Sequence, residues 1–532
     1  MKILGRFSAC IIALLFGSCH VNDLNFDKIK PIELSPQIAV KIGSKSYTIK
    51  EILEDLEDQK LEIHEDGDLL VTMVYREQSV FNKSGEIINV NTISNHAVFS
   101  LPTDVPALPT SQIIPFSTVL DFDFIAENGE TIDSVFYAGG YLEYQMYSTF
   151  PAGLDYSWTV VGFRKMDTNM DLVQSQSIPY SGEQIEDFFL TELNEYKSVL
   201  RLEGDLNKLD VSVSGDLLLA AGEELTTNQS LNFDMVIGNP DFSSLFGYFG
   251  DDHVEIEVIE FSLDALSSID SDGFFFAEPR FSLEVENSYG IEFSLDMSKT
   301  RAILSDSSVV ELQETSSVQK LVAAPRIAGG VETTLIQLNA SNSNVADIFS
   351  AIPSKIILPI RAEANPSISS LTSNFLTDSS YINVNAIIEL PLVLRMNEFV
   401  TDFDLDFSEN LDLDFADSII LIANIDNQMP FEGDISLELL NSKGELLSQI
   451  PGTLHFGAPP VGNDGRTKGI DSTESKLILG YDALEKMKLA SKLRAKTKFS
   501  TYDKESNRNV KLFSDYVLDI QISAIAAITV EL

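Results

Sequence analysis

Positive charge is scarce in this chain. Its 532 residues include 36 Lys and Arg against 81 Asp and Glu, a formal net charge of −45. Binding to nucleic acid rests on a cationic footprint on the phosphates, so general nucleic-acid affinity is excluded, and adsorption to anionic headgroups is disfavoured. Only two cysteines occur, Cys10 and Cys19, too few for a disulfide framework. The five histidines (20, 64, 96, 253 and 455) show no HxxH or HExxH spacing, so neither zinc nor a His-based triad has support. A GxSxG elbow, a P-loop and a GxGxxG after a strand are all missing. No run reaches the ~18 charge-free apolar residues that a spanning helix needs. These absences point away from an enzyme.

What is present begins at the N-terminus. Lys2 and Arg6 lead into an apolar stretch from Phe7 to Phe16, followed by Gly17-Ser18-Cys19. A basic start, a short apolar segment and small residues before a cleavage point make a secretory signal. It resembles a bacterial lipoprotein signal, with Phe16 where leucine is commoner. That resemblance implies removal of residues 1–18 and attachment of lipid, palmitate among the acyl chains, to the Cys19 thiol. The mature chain would then keep a single thiol. Several acyl chains hold a protein firmly at a bilayer, and the lipid would be its only membrane anchor.

Residues 19–39 read as a tether, punctuated by Pro31 and Pro36. An N-terminal α+β region is expected at 40–104. There Thr48 and Glu51 form a capping box ahead of Ile49, Ile52, Leu53 and Leu56, and Leu69–Tyr75 reads as a strand after the Asp66-Gly67 turn.

From there, period-two alternation dominates and the sequence repeats itself. Leu120–Phe124, Ile259–Leu263 and Asp402–Phe407 are like strands. Some twenty residues later each is followed by a second run ending in a polar turn: Tyr141–Pro151, Phe281–Gly290 and Ile420–Pro430. The back halves match too. Short amphipathic segments (Ile185–Tyr196, Val345–Ile352, Asp482–Leu489) precede extended ones (Val199–Asp205, Lys355–Ala362, Lys492–Ser500), and late strands follow at Leu209–Val213, Ile382–Ala386 and Leu518–Ile522. The expected fold is mainly β: tandem β-sandwich-like modules at 105–235, 236–395 and 396–532, each with about one short helix. Junctions are expected near Gly238-Asn239-Pro240 and Met396-Asn397-Glu398, and the fragment Asn397–Leu532 is expected to fold alone. The turns holding Asn287, Asn424 and Asn427 resemble those of water-stress-type β-sandwich modules.

Candidate sites are few. Asp402, Asp404 and Asp406 share one face of a strand, with Asp412 and Asp414 following, a set of hard oxygen donors suited to calcium. No other cofactor is suggested. Lys492, Arg494, Lys496 and Lys498 form a cationic stripe. It either pairs with the aspartates across the strands or docks an acidic partner or a lipid phosphate. Aromatics gather between Tyr137 and Trp158, the only tryptophan. Of these, Tyr141, Tyr144 and Trp158 are the candidate ligand patch, because flat rings stack on sugars; cross-strand packing is the competing reading.

Together with the Lys511–Ile520 stretch, the lipobox-like segment resembles the β-rich outer-membrane lipoproteins of Bacteroidota. That likeness implies lipid anchoring in the outer membrane, facing the cell exterior, and a non-enzymatic role as an accessory subunit of an outer-membrane protein complex for assembly or transport. Its partners would be that membrane and an outer-membrane protein. A glycan-binding surface lipoprotein is the alternative.

Overall fold

The computed structural model describes residues 33–531 except 35–36, 55–59, 84–86, 89, 125–129, 205, 252, 268–273, 367–372, 398, 407–417, 504–505, 507 and 528–529. Strand accounts for 62% and helix for 5%, so the alternation is expressed as sheets. The four helices among the described residues have at most seven residues each.

Three sandwiches repeat one strand order. In the first, one layer runs Ile185–Glu192, Thr131–Ser148, Ser230–Tyr248, Ile93–Ser100. The other runs Asp171–Ile178, Gly153–Lys165, Leu206–Leu219, Gln112–Phe124. The second sandwich repeats the first layer as Glu332–Asn339, Arg280–Asn287, Ile382–Pro391, Val71–Phe81. In the third it is Asp471–Leu479, Ser418–Asn427, Val517–Ala527, Gln37–Thr48. The opposing layers of these two are built around Pro353–Ala364 and Lys492–Thr501.

The last strand of each first layer comes from the N-terminal part of the chain. Gln37–Thr48 completes the third sandwich, Val71–Phe81 the second and Ile93–Ser100 the first. The chain therefore visits the sandwiches in the order three, two, one and returns in the order one, two, three. This replaces the expected 40–104 region: its strands lie in three different sheets. At the far end Glu33–Leu34 pairs with Val530–Glu531, so both ends of the described chain leave from the third sandwich.

The second sandwich pairs with both neighbours. Asn374–Thr377 adds to Ser244–Gly247 of the first. Beside this pairing Asn365 Nδ2 donates to Gly250 O at 2.6 Å, and Asn374 Nδ2 donates to Gly290 O at 3.1 Å. On the other side, Phe275–Phe276 and Val393–Arg395 form a small sheet with Val510–Lys511 of the third sandwich. The helix Ile49–Glu54 lies at this second junction, over an apolar cavity of about 70 Å³. It starts on the expected capping box: Thr48 N donates to Glu51 Oε2 at 2.8 Å, and Glu51 N donates to Thr48 Oγ1 at 3.2 Å.

One turn marks the repeat at atomic level. Asn427 Nδ2 donates to Phe431 O and Gly457 O, while its Oδ1 accepts from Met429 N. Asn287 does the same with Ile291 O, Ala323 O and Tyr289 N. In the first sandwich Ser148 stands in that place and accepts from Phe150 N. The amide's two N–H donors reach two backbone carbonyls at once, which the single O–H of a hydroxyl cannot.

The repeat is out of step with the sequence reading in one place. Ile185–Glu192 is a strand, not the counterpart of the helices Val345–Ser350 and Tyr481–Met487. Where those helices follow the edge strand, the first sandwich has the strand Tyr196–Val199, which pairs with both layers. Consequently Leu206–Leu219 corresponds to Pro353–Ala364, and Ser230–Tyr248 to Ile382–Pro391. The expected junction at Gly238-Asn239-Pro240 is a bulge inside the strand Ser230–Tyr248.

Candidate functional site

Cys19, the expected lipidation site, lies outside the described residues, as do Asp412 and Asp414. Phe399–Asp406 pairs with Lys492–Thr501 so that Asp402 faces Lys496, Asp404 faces Arg494 and Asp406 faces Lys492. Arg494 Nε donates to Asp404 Oδ1 at 2.8 Å and lies 3.3 Å from Asp402 Oδ2. The hydrogen bond from Arg494 holds the Asp404 carboxyl below the usual carboxylate range, and the same bond raises Arg494. Of the two readings of these stripes, cross-strand pairing is the observed one. Among the described residues, no group of three or more His, Cys, Asp or Glu is placed to hold a metal ion.

The aromatic cluster divides between core and surface. Trp158 is 1% exposed and Tyr144 is 0%; their rings stack 4.5 Å apart between the two layers of the first sandwich. Phe189 meets Trp158 edge-on at 5.2 Å. Tyr137 is buried too, its hydroxyl 2.7 Å from Ser198 Oγ. Burial pushes the Tyr137, Tyr144 and Tyr156 phenols well above their ordinary range. Aromatic bulk therefore fills the core of the sandwich that has no helix beside its edge strand, and Tyr144 and Trp158 are not placed to stack on a ligand. Tyr141 differs. Its ring covers Gly238 on the next strand, where a side chain would collide with it. Gly140 beside it has φ +99°, and a Cβ there would lie 2.6 Å from Asn239 O. This bulge opens a cleft of about 650 Å³ lined by Tyr141, Glu143, Leu190, Glu192, Asn194 and Asn239, among others.

A surface that the sequence reading missed runs along the same layer. Ile185–Glu192 is its edge strand, paired on one side only with Thr131–Ser148 among the described residues. Phe188 and Leu190 point outward, 57% and 54% exposed, opposite Gln145 and Glu143. Glu186 and Glu192 flank them on the same face, opposite Tyr147 and Tyr141. A second cleft, of about 340 Å³, lies by Gln145, Tyr147, Glu186, Asp187 and Phe188. Neither cleft is lined by a Lys or Arg. The signal was present in the sequence: Phe188-Phe189-Leu190 places three apolar residues in a row, which breaks period two and commits apolar side chains to both faces.

No protein-family model and no curated protein matches this chain. Among solved structures it is similar to a candidate secreted protein of Parabacteroides distasonis ATCC 8503, at 14% identity and a TM-score of 0.30, over 53% of this chain and 89% of that one. It is also similar to a triple jelly-roll protein of an archaeal virus, at 10% identity and 0.12, over 80% and 91%. A third likeness is to a structure of the infectious bursal disease virus Gt strain, at 9% and 0.14, over 89% and 82%. At these identities and scores none of them bears on what this chain binds. Among the described residues no helix is long and apolar enough to cross a membrane.

Proposed function

We propose that this chain is a non-enzymatic lipoprotein of the outer membrane, anchored through lipid on Cys19 and facing the cell exterior. It acts as an interaction subunit of an outer-membrane protein complex that serves assembly or transport. The observation that carries this reading is the nested chain order. Because Gln37–Thr48 is built into the third sandwich, a tether from Cys19 arrives there and leaves the first sandwich as the far member of the series. Cys19 lies 14 residues before Glu33, a length that spans at most about 50 Å. The far sandwich is the one with the exposed Phe188 and Leu190. Exposed apolar groups rimmed by polar ones are the usual mark of a protein-binding surface.

Affinity purification from detergent-solubilised membranes tests this reading. A stoichiometric membrane β-barrel partner is expected; a chain that elutes alone sinks it. Replacement of Cys19 by Ser is expected to abolish acyl labelling, and a labelled, membrane-bound Cys19→Ser protein would refute the anchor.

Tyr141 favours one second reading, a glycan-binding surface lipoprotein. It lies in the larger cleft with carboxylates and amides, groups that suit sugar hydroxyls. Glycan-array binding that is lost in Tyr141→Ala supports this; an array with no binder removes it.

A further inference from the structure

The edge strand Ile185–Glu192 combines three properties. Its outer side makes no strand pairing among the described residues, so it can accept another strand. Its exposed face alternates Glu186, Phe188, Leu190 and Glu192, with apolar residues at the centre and carboxylates at both ends. The clefts on that face add Glu143 and no cation. Acidic residues on an edge strand ordinarily prevent self-pairing, and in a chain of net charge −45 a second copy is repelled as well. The same charges admit a strand of opposite sign.

We propose that Ile185–Glu192 is a β-augmentation site, and that its occupant is an extended segment of a partner protein whose same-face positions, every second residue, read Lys or Arg, aliphatic, aliphatic, Lys or Arg. The partner's main chain pairs with the edge, its aliphatic side chains cover Phe188 and Leu190, and its cations meet Glu186, Glu192 and Glu143. Backbone hydrogen bonds supply affinity, while alternate side chains and charge select the sequence. This inference rests on the interaction-protein reading and names the chemistry of the partner.

The test uses the full chain and capped nine-residue peptides labelled for fluorescence anisotropy. One, the Lys–Val peptide, reads Thr-Lys-Thr-Val-Thr-Val-Thr-Lys-Thr, so that both Lys and both Val share one face; the Glu–Val peptide has Glu in place of both Lys, and a third is the Lys–Val peptide N-methylated at every second residue. The Lys–Val peptide is expected to bind, more weakly as salt is raised. The Glu–Val peptide should not bind, and N-methylation should weaken binding at least tenfold because it removes main-chain donors. The variant Phe188→Asp/Leu190→Asp should lose at least tenfold, while Val173→Asp/Ser175→Asp on the opposite layer's edge binds as the parent does. Unchanged emission from buried Trp158 verifies that each variant is folded. No binding of the Lys–Val peptide, equal binding of its N-methylated form, or equal binding by the Phe188/Leu190 variant each overturns the proposal. The membrane purification is independent of this site, so a captured barrel partner alongside negative peptide results would reject the edge strand and leave the interaction role standing.

Discussion

Tyr156 donates a 2.5 Å hydrogen bond to Asp187 across the open side of the first sandwich. Tyr156 belongs to one layer and Asp187 to the edge strand of the other, so the bond ties the two layers where no helix bridges them. Asp187 also points inward from that edge, a placement that discourages unwanted pairing. Tyr156→Phe keeps the ring and removes the donor, leaving a half-buried carboxylate short of a partner. The expected cost is about 1–3 kcal/mol. Trp158 is the one tryptophan, so a denaturant melt followed by its emission reads this sandwich directly. A variant that melts with the parent would show that the bond contributes nothing.

Alkali should unfold the protein through three phenols. Burial raises the pKa of Tyr137, Tyr144 and Tyr156 above the ordinary value of 10.0. The fold keeps these protons where the unfolded chain has lost them, so stability is whole below about pH 10 and falls as pH rises beyond it. Of fifteen tyrosines, these three should ionise only as structure is lost. Tyrosinate absorbance followed alongside circular dichroism checks this: a late step coincident with unfolding is expected, and complete titration of a native protein near pH 10 contradicts it.

The acid limb should be shallow. Arg494 lowers Asp404, and Arg201 lowers Asp210 through a side-chain hydrogen bond. A carboxyl whose folded pKa is depressed contributes stability above its unfolded value of about 4, and that contribution is lost as pH falls through the folded pKa. Both pairs are partly exposed, so Arg494→Ala should cost less than about 1 kcal/mol at neutral pH. With Asp402 and Asp404 already held by Arg494, calcium should leave the melting temperature within error. A rise of several degrees on adding calcium would show that the cation competes successfully for these carboxylates.

How much of this was legible in the sequence follows from what each signal encodes. Alternation gave the strands, the shared order of like segments such as Phe281–Gly290 and Ile420–Pro430 gave the repeat, and Thr48 with Glu51 gave the helix start, because all are patterns along the chain. Pairing partners are not local. Nothing in Gln37–Thr48 says that its neighbour is Val517–Ala527, almost five hundred residues away, so the N-terminal strands read as a region of their own. The Gly238-Asn239-Pro240 run carries turn chemistry but sits in a bulge, which uses the same residues. For Trp158 and Tyr144, parity gives the face of a strand but not which face is inside. The Phe188-Phe189-Leu190 run did hold the missed surface.

The nested order changes which fragments should fold. Asn397–Leu532 lacks Gln37–Thr48, so the edge of Val517–Ala527 is left open and partners of the buried Ile42 and Tyr47 are exposed. It should aggregate or melt without cooperativity, and addition of a peptide spanning residues 33–50 should restore a cooperative β transition. Residues 91–250 hold every strand of the first sandwich and should fold alone with native Trp158 emission. A cooperative melt of Asn397–Leu532 by itself would show that the N-terminal strand is dispensable.

The central claim is that the far sandwich of a lipid-anchored chain docks a partner through Ile185–Glu192. Quantitative mass spectrometry of complexes purified with the full chain, parent against Phe188→Asp/Leu190→Asp, tests it most directly. A stoichiometric β-barrel protein recovered with the parent and depleted at least tenfold with the variant is the expected result. A parent chain that elutes alone, or equal recovery with both, would contradict the claim.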